Sequence, residues 1–319
     1  MTKRKIIIPS LIVVLSALLL GVACYFLVQY CPKNRIVFNV NDTLQDGEGK
    51  CAHVIILAGQ SNASGCSLDE YLRKNVSEEK YAEYQNGYEN VYINYLSGAN
   101  RSEEFVKCAT LQGEIAGGFG PELGLAERLH ELYPDETFFI VKCAWGGTNL
   151  FEQWLSPSSK GKTGELYKQF VAYVETSVQY LKSKNYDVQI EGMCWMQGES
   201  DSFSVESSEE YGKHLSNLIT DIREEFSEYS SEDGIAFVDA YIAPNPMYWV
   251  YYEGVNRGKD VVAAMSPMNV IVDTISAELD CTQEPKEAPD IAHYDSISEI
   301  KLGHLFAEEI AAFLDRPEK

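Results

Sequence analysis

Residues 53–65 read HVIILAGQSNASG, and the interpretation of this stretch decides the fold. Val54–Ala58 is a continuous apolar run that stops at Gly59, where a small polar cluster begins. A run that is apolar at every position, rather than at every second one, fits a strand covered on both faces. Runs of the same kind recur at 137–144, 190–196, 235–239 and 270–274. Helical periodicity fills the gaps: in 164–184 the residues Leu166, Phe170, Val174, Val178 and Leu181 fall on one face, and 122–133, 207–226 and 298–314 behave alike. Strands alternating with helices imply an α/β fold, a three-layer α/β/α sandwich on a central, mostly parallel sheet. Sites in such folds form beyond the carboxyl ends of the strands, which is where Ser61 falls. Gly, Ser and Asn are also ordinary turn residues, so the serine needs partners before it means more than a turn.

A hydroxyl becomes a nucleophile when a base takes its proton, and that base is usually histidine. The chain has five histidines. His53 precedes the first strand and belongs at its opposite end, since a strand rises about 3.3 Å per residue. His130, His214 and His304 fall on helical stretches, where a solvated or packing role suits them. His293 stands instead in the loop EAPDIAHYDS, three residues after Asp290, a carboxylate placed to fix one imidazole tautomer. Asp295 is the alternative acid. An acyl-transfer site also needs donors for an oxyanion. The turn from Gly117 to Gly120 and the amide of Gln197, at the end of the third strand, are candidates. Each has an ordinary structural explanation too, the first as a helix entry before Pro121 and the second as a loop residue.

With 319 residues, the chain has room for one sizeable domain and an appendage. A net charge of −22 argues against nucleic acid as a partner. Lys3, Arg4 and Lys5 precede an uncharged run from Ile6 to Tyr30, long enough to cross a bilayer, and the basic flank keeps that end cytoplasmic. The expected organisation is a basic stub and signal-anchor transmembrane helix over 1–32, a stalk over 33–50 and a catalytic domain over 51–319. The domain would then stand outside the cell on a single-pass anchor in the cell membrane. A cleaved signal peptide, favoured by Ala17, Gly21 and Ala23, would leave it secreted. Cys143 and Cys194 read as small core residues. Cys51 with Cys66, or Cys108 with Cys281, remain open as pairs. No His/Cys cluster has metal-ligand spacing, so neither a zinc site nor a cofactor is expected, and no obligate protein partner is evident.

Five words occur in order: GQSNASG at 59–65, GFGPELGLA at 118–126, KCAWGGTNLFEQW at 142–154, WMQGESD at 195–201 and DIAHYDSISEIKLG at 290–303. Together they resemble the SGNH (GDSL-type) hydrolase superfamily, and within it the sialate O-acetylesterase-like group and carbohydrate esterase family 6. The resemblance implies a flavodoxin-like sandwich and a serine esterase that removes O-acetyl groups from carbohydrate, such as acetylated xylan or sialic acid. It implies Ser61 as nucleophile, His293 as general base and Asp290 as its orienting acid. The oxyanion hole would be Ser61 N–H, the N–H of Gly120 or Gly118, and the Gln197 side chain. Gln60, Asn62, Gly147, Thr148 and Glu199 would contact substrate or support the site, Glu199 as a buried anchor for the loops. Trp154 would be packing or a sugar platform. The remaining alternatives are an esterase acting on a peptidoglycan or lipid-like ester, and a non-catalytic carbohydrate-binding protein.

Overall fold

The computed structural model describes residues 36–316 other than Pro246, so the expected membrane helix lies outside the described residues. Among the described residues no helix is long and apolar enough to cross a membrane. The longer strands are β1 (Cys51–Gly59), β2 (Val91–Ser97), β3 (Phe138–Ala144), β4 (Asp187–Met196), β5 (Ala236–Ala240) and β6 (Asn269–Val272). They run parallel in the order β6-β5-β4-β1-β3-β2 within an eight-stranded sheet. Two short antiparallel pieces, Asn100–Arg101 and Val106–Lys107, complete it beside β2. The expected parallel sheet is therefore present, with one strand that the sequence reading missed. In β2, VYINYLS interrupts its apolar residues with Asn94, which is buried because Ser177 and Tyr173 meet its side chain in hydrogen bonds of 3.0 and 2.7 Å.

The helices are α1 (Ser61–Ser64), α2 (Asp69–Asn75), α3 (Glu78–Asn86), α4 (Glu122–Leu132), α5 (Glu165–Ser183), α6 (Val205–Glu225), α7 (Tyr252–Ala263) and α8 (Ser296–Leu314). They cover both faces of the sheet, as the side chains of β4 illustrate. Gly192 receives Ile310 of α8, while Trp195, on the opposite face of the pleat, packs through Trp154 towards Phe170 of α5. Every residue of β3 is buried, which explains its nearly continuous apolar run. The exception in that run is Lys142, 0% exposed and paired with Glu122 of α4 at 2.7 Å.

Two features place the site. β1 lies between β3 and β4; from β1 the chain runs on to β2 at one side of the sheet and from β4 to β5 at the other, so a crevice opens at the carboxyl end of β1 beside β4. Gly59 ends β1 at φ 142°, and a Cβ there would collide with the carbonyl of Met196 on β4. Only glycine allows the chain to turn this close to its neighbour.

The segment read as a stalk is packed rather than free from Phe38 onwards, and it belongs to the compact unit that begins there. Phe38 meets Tyr173 of α5 edge-on at 5.0 Å, and the Tyr180 hydroxyl accepts from the N–H groups of Thr43 and Leu44. Apolar residues at 38, 40 and 44 find cover on the domain, which a polar average over 33–50 conceals. Cys143 and Cys194 are core residues, and Cys51, Cys66, Cys108 and Cys281 are unbridged.

Candidate active site

A cavity of about 370 Å³ lies over the carboxyl end of β1. Ser61 and His293, separated by most of the chain, both line it. Ser61 opens α1, a single helical turn, so its N–H has no acceptor within the helix. Gly65 closes that turn at φ 97°, and its bare Cα packs against Gly113 and Gly120. The turn is thereby wedged between β4 and the 113–120 loop.

His293 is placed by its own loop and by residues beside the serine. Asp290 accepts from His293 Nδ1 at 2.6 Å, which leaves Nε2 as the proton acceptor. The same carboxylate accepts from the N–H of Ala292 at 3.1 Å. Asn62, next to Ser61, takes the N–H of Tyr294 on its Oδ1 at 3.1 Å and donates to Glu199 Oε1 at 2.9 Å. Ser67 Oγ donates to the carbonyl of Tyr294 at 2.6 Å. The residue after His293 is thus fastened to the Ser61 segment on both its backbone groups. Glu199 lines the cavity while only 3% exposed. Burial pushes its pKa above the ordinary carboxylate value, against the opposing pull of the Asn62 hydrogen bond.

The structure departs from the sequence expectation at several donors. Gln197 is 0% exposed and does not line the cavity, because its amide group is spent beneath the site. Its Nε2 donates to Asp201 at 2.6 Å, to the Thr148 carbonyl at 3.0 Å and to Gln60 at 3.2 Å. Its main-chain carbonyl accepts from Tyr211 and from Lys259, at 3.0 and 2.8 Å. Gly120 gives its N–H to Glu122 Oε1 at 2.9 Å, and Gly118 gives its own to the Ile115 carbonyl. Thr148 is likewise taken: its hydroxyl donates to the Trp145 carbonyl and accepts from Trp154 Nε1. Trp154 is fully buried and is packing, not a platform. Asp201 holds the next loop, accepting from the N–H groups of Leu150 and Phe151, and burial lifts its pKa to about 6.

Gly147 does reach the cavity, at φ 68°. Beside it, Glu114 bridges two loops: its Oε2 accepts from Ser64 Oγ at 2.5 Å and from the N–H of Gly146 at 2.7 Å. Gln60 lines the wall and accepts on its Oε1 from the N–H of Ser200 at 3.2 Å. Glu114, Trp249 and Phe203 were not legible beforehand, since lone residues in loops carry no periodic signal. Phe203 is 62% exposed at the rim, a large apolar face presented to whatever enters.

A parallel α/β/α sheet with serine and histidine gathered over the end of its central strand is the architecture of the SGNH-type hydrolases. Residues 51–312 match the family model described as carbohydrate esterase, sialic acid-specific acetylesterase, and the chain belongs to that family of carboxylic ester hydrolases. A probable carbohydrate esterase of Arabidopsis thaliana is 28% identical over 112 residues, which span 34% of this chain and 38% of that relative. Among solved structures, a protein from Arabidopsis thaliana superposes with a TM-score of 0.61 at 19% identity, over 82% of this chain and 98% of the other. NanS gives 0.59 at 17%, over 85% and 99%. A carbohydrate acetylesterase from Xanthomonas citri gives 0.58 at 15%, over 82% and 56%. At these identities the likeness is one of fold.

Proposed function

We propose that this chain is a serine esterase that removes O-acetyl groups from carbohydrate through an acetyl-enzyme. The observation that carries the reading is the meeting of Ser61 and His293 in one cavity, with Asp290 on the far nitrogen of the imidazole. In this mechanism His293 Nε2 takes the Ser61 proton as Oγ attacks the ester carbonyl. The oxyanion is held by the N–H groups of Ser61 and Gly147, in place of the expected Gly120 and Gln197, whose donors are engaged elsewhere. His293 then protonates the departing sugar hydroxyl, and water releases acetate by the reverse sequence.

The cavity also bears on the sugar. Glu114 and Glu199 contribute carboxyl groups to its wall, and neither Lys nor Arg lines it among the described residues. A sialic acid would bring its own carboxylate into this surround with no cation to meet it, whereas a neutral acetylated sugar carries no such cost. Phe203 offers the apolar face of a pyranose a surface at the rim. Neutral acetylated glycan is therefore the substrate class in this reading. The domain would work outside the cell, held at the membrane by the uncharged run from Ile6 to Tyr30.

Ser61→Ala should lower turnover of an aryl acetate by about 10⁴-fold with an unchanged circular dichroism spectrum. Equal turnover in the variant would remove the serine mechanism. Labelling of Ser61 by a fluorophosphonate separates an enzyme from a carbohydrate-binding protein with a dead site. Acetate release from acetylated xylo-oligosaccharide and from O-acetylated sialic acid, compared at equal concentration, tests the substrate class.

A further inference from the structure

At the end of β1 remote from Ser61, three side chains of different chemistry converge. Cys51 and His53 lie two residues apart on β1 and so share one face. Glu191 comes from the adjacent β4, at a place where the parallel register slips. Val54 pairs with Ile190 but Ile55 pairs with Gly192, so Glu191 is the extra residue of a bulge. Bulges re-aim a side chain, and this one turns Glu191 onto the imidazole. Glu191 Oε1 is 2.7 Å from His53 Nδ1, and Cys51 Sγ is 3.9 Å from the same nitrogen. One sulfur, one nitrogen and one oxygen atom thus all lie within 4.8 Å of one another. None of this is visible in local spacing, because Glu191 stands 138 residues from His53.

We propose that Cys51, His53 and Glu191 form a binding site for a zinc-class divalent ion, with water completing a tetrahedral shell. The donor set selects the ion. Thiolate and imidazole suit zinc and its first-row neighbours, whereas calcium and magnesium take oxygen ligands. Bond lengths of roughly 2.0–2.3 Å to tetrahedral zinc put neighbouring donors about 3.3–3.7 Å apart. The Cys51–His53 spacing is already close to that, and the His53–Glu191 spacing needs a small opening of the Glu191 side chain.

A second observation points the same way. The other ring nitrogen, His53 Nε2, faces Glu136 Oε2 at 3.5 Å. Ligand histidines commonly direct their remaining N–H to an outer carboxylate, which fixes the ring and strengthens the donor. A bare ion pair between His53 and Glu191 would give neither Cys51 nor Glu136 a part. The ion would tie the first residues of β1 to β4, just after the packed 38–50 segment joins the sheet, and well away from the catalytic cavity.

Cobalt(II) added to the reduced full-length chain tests this, because a cobalt–thiolate bond gives a near-ultraviolet charge-transfer band. The expected result is one equivalent bound with that band, displaced by zinc, and a melting temperature raised by zinc. Cys51→Ser should abolish the band, while Glu191→Gln and His53→Gln, each removing a direct ligand, should weaken binding by more than the roughly 10- to 100-fold that loss of an outer partner such as Glu136 costs. Cys66→Ser and Cys281→Ser, which remove the other part-exposed thiols among the described residues, should leave it intact. Absence of a stoichiometric band, its survival in Cys51→Ser, or its loss in either control would overturn the site. Should Cys51→Ser fail to fold by circular dichroism, the Glu191→Gln affinity decides, and an unchanged value overturns the proposal.

Discussion

The turn that carries Ser61 and the loop that carries His293 are held in opposite ways. Ser61 sits in a buried turn locked by backbone contacts: Gly59 against β4, Gly65 against Gly113 and Gly120. Behind it, Glu122 takes the N–H of Gly120 on one oxygen and Lys142 on the other. His293 hangs in a loop whose neighbouring residues are largely exposed or half-buried, with Asp290 itself about half exposed. It is held by a few side-chain hydrogen bonds, several of which come from the Ser61 segment. The comparison teaches that the sheet positions Ser61, and the neighbours of Ser61 position the His293 loop.

Damage on the first side should appear as lost stability and damage on the second as lost rate. The largest effect is expected at Lys142→Met, which strands the Glu122 carboxylate in the core. Breaking a buried pair costs about 3–5 kcal/mol, so the melting temperature should fall well below that of the parent. Folded enzyme should keep most of its kcat, and a large kcat loss at full stability would erase the contrast. Asn62→Ala comes next, since it releases both Tyr294 and Glu199. A base displaced by about 1 Å loses roughly 10²-fold in rate, here with stability lowered only by about 1–2 kcal/mol. Asp290→Asn should cost about tenfold in kcat, less than for a buried orienting acid, because water reaches this carboxylate. If Asp290→Asn proves worse than Asn62→Ala, the loop holds itself and the contrast is misdrawn.

The smallest effect joins the two regions. Glu127 of α4 accepts from Lys80 and Tyr84 of α3 and meets His304 of α8, the helix that follows the His293 loop. Burial alone would raise its pKa, but the hydrogen bonds from His304, Lys80 and Tyr84 prevail and bring it down to about 2. A folded value below the unfolded one contributes stability that is present above pH 4.5 and lost as pH falls through 2. Urea unfolding of the parent and of Glu127→Gln should differ most near neutrality and converge towards pH 2.

Much of the first region was legible in the sequence, because buried parallel strands announce themselves as unbroken apolar runs. β2 was not, since its Asn94 is satisfied by α5, more than 80 residues away in the chain. Nor were α2, α3 and α7; α3, for example, buries only Tyr81 and Tyr84. In the site, position and elimination led to Ser61 and His293, which share one cavity, while Asp290 was read with Asp295 as the alternative acid. Gln197 and Gly120 were expected as oxyanion donors and Thr148 as a substrate contact, yet each is engaged by residues close in sequence: Asp201, Glu122, and Trp145 with Trp154. A sequence names a donor but not who has already claimed it.

Glu114 carries a consequence of its own. Its one oxygen grips Ser64 on the serine's turn and Gly146 on the glycine loop, so a side chain from a third segment gauges the width between them. Were Ser61 and Gly147 to receive the same oxyanion, the opening for an acyl group would be calibrated by that carboxylate and not by the strands. A lineage of such enzymes could then shift from acetyl to bulkier esters by altering one loop, while the sheet beneath stayed as it was.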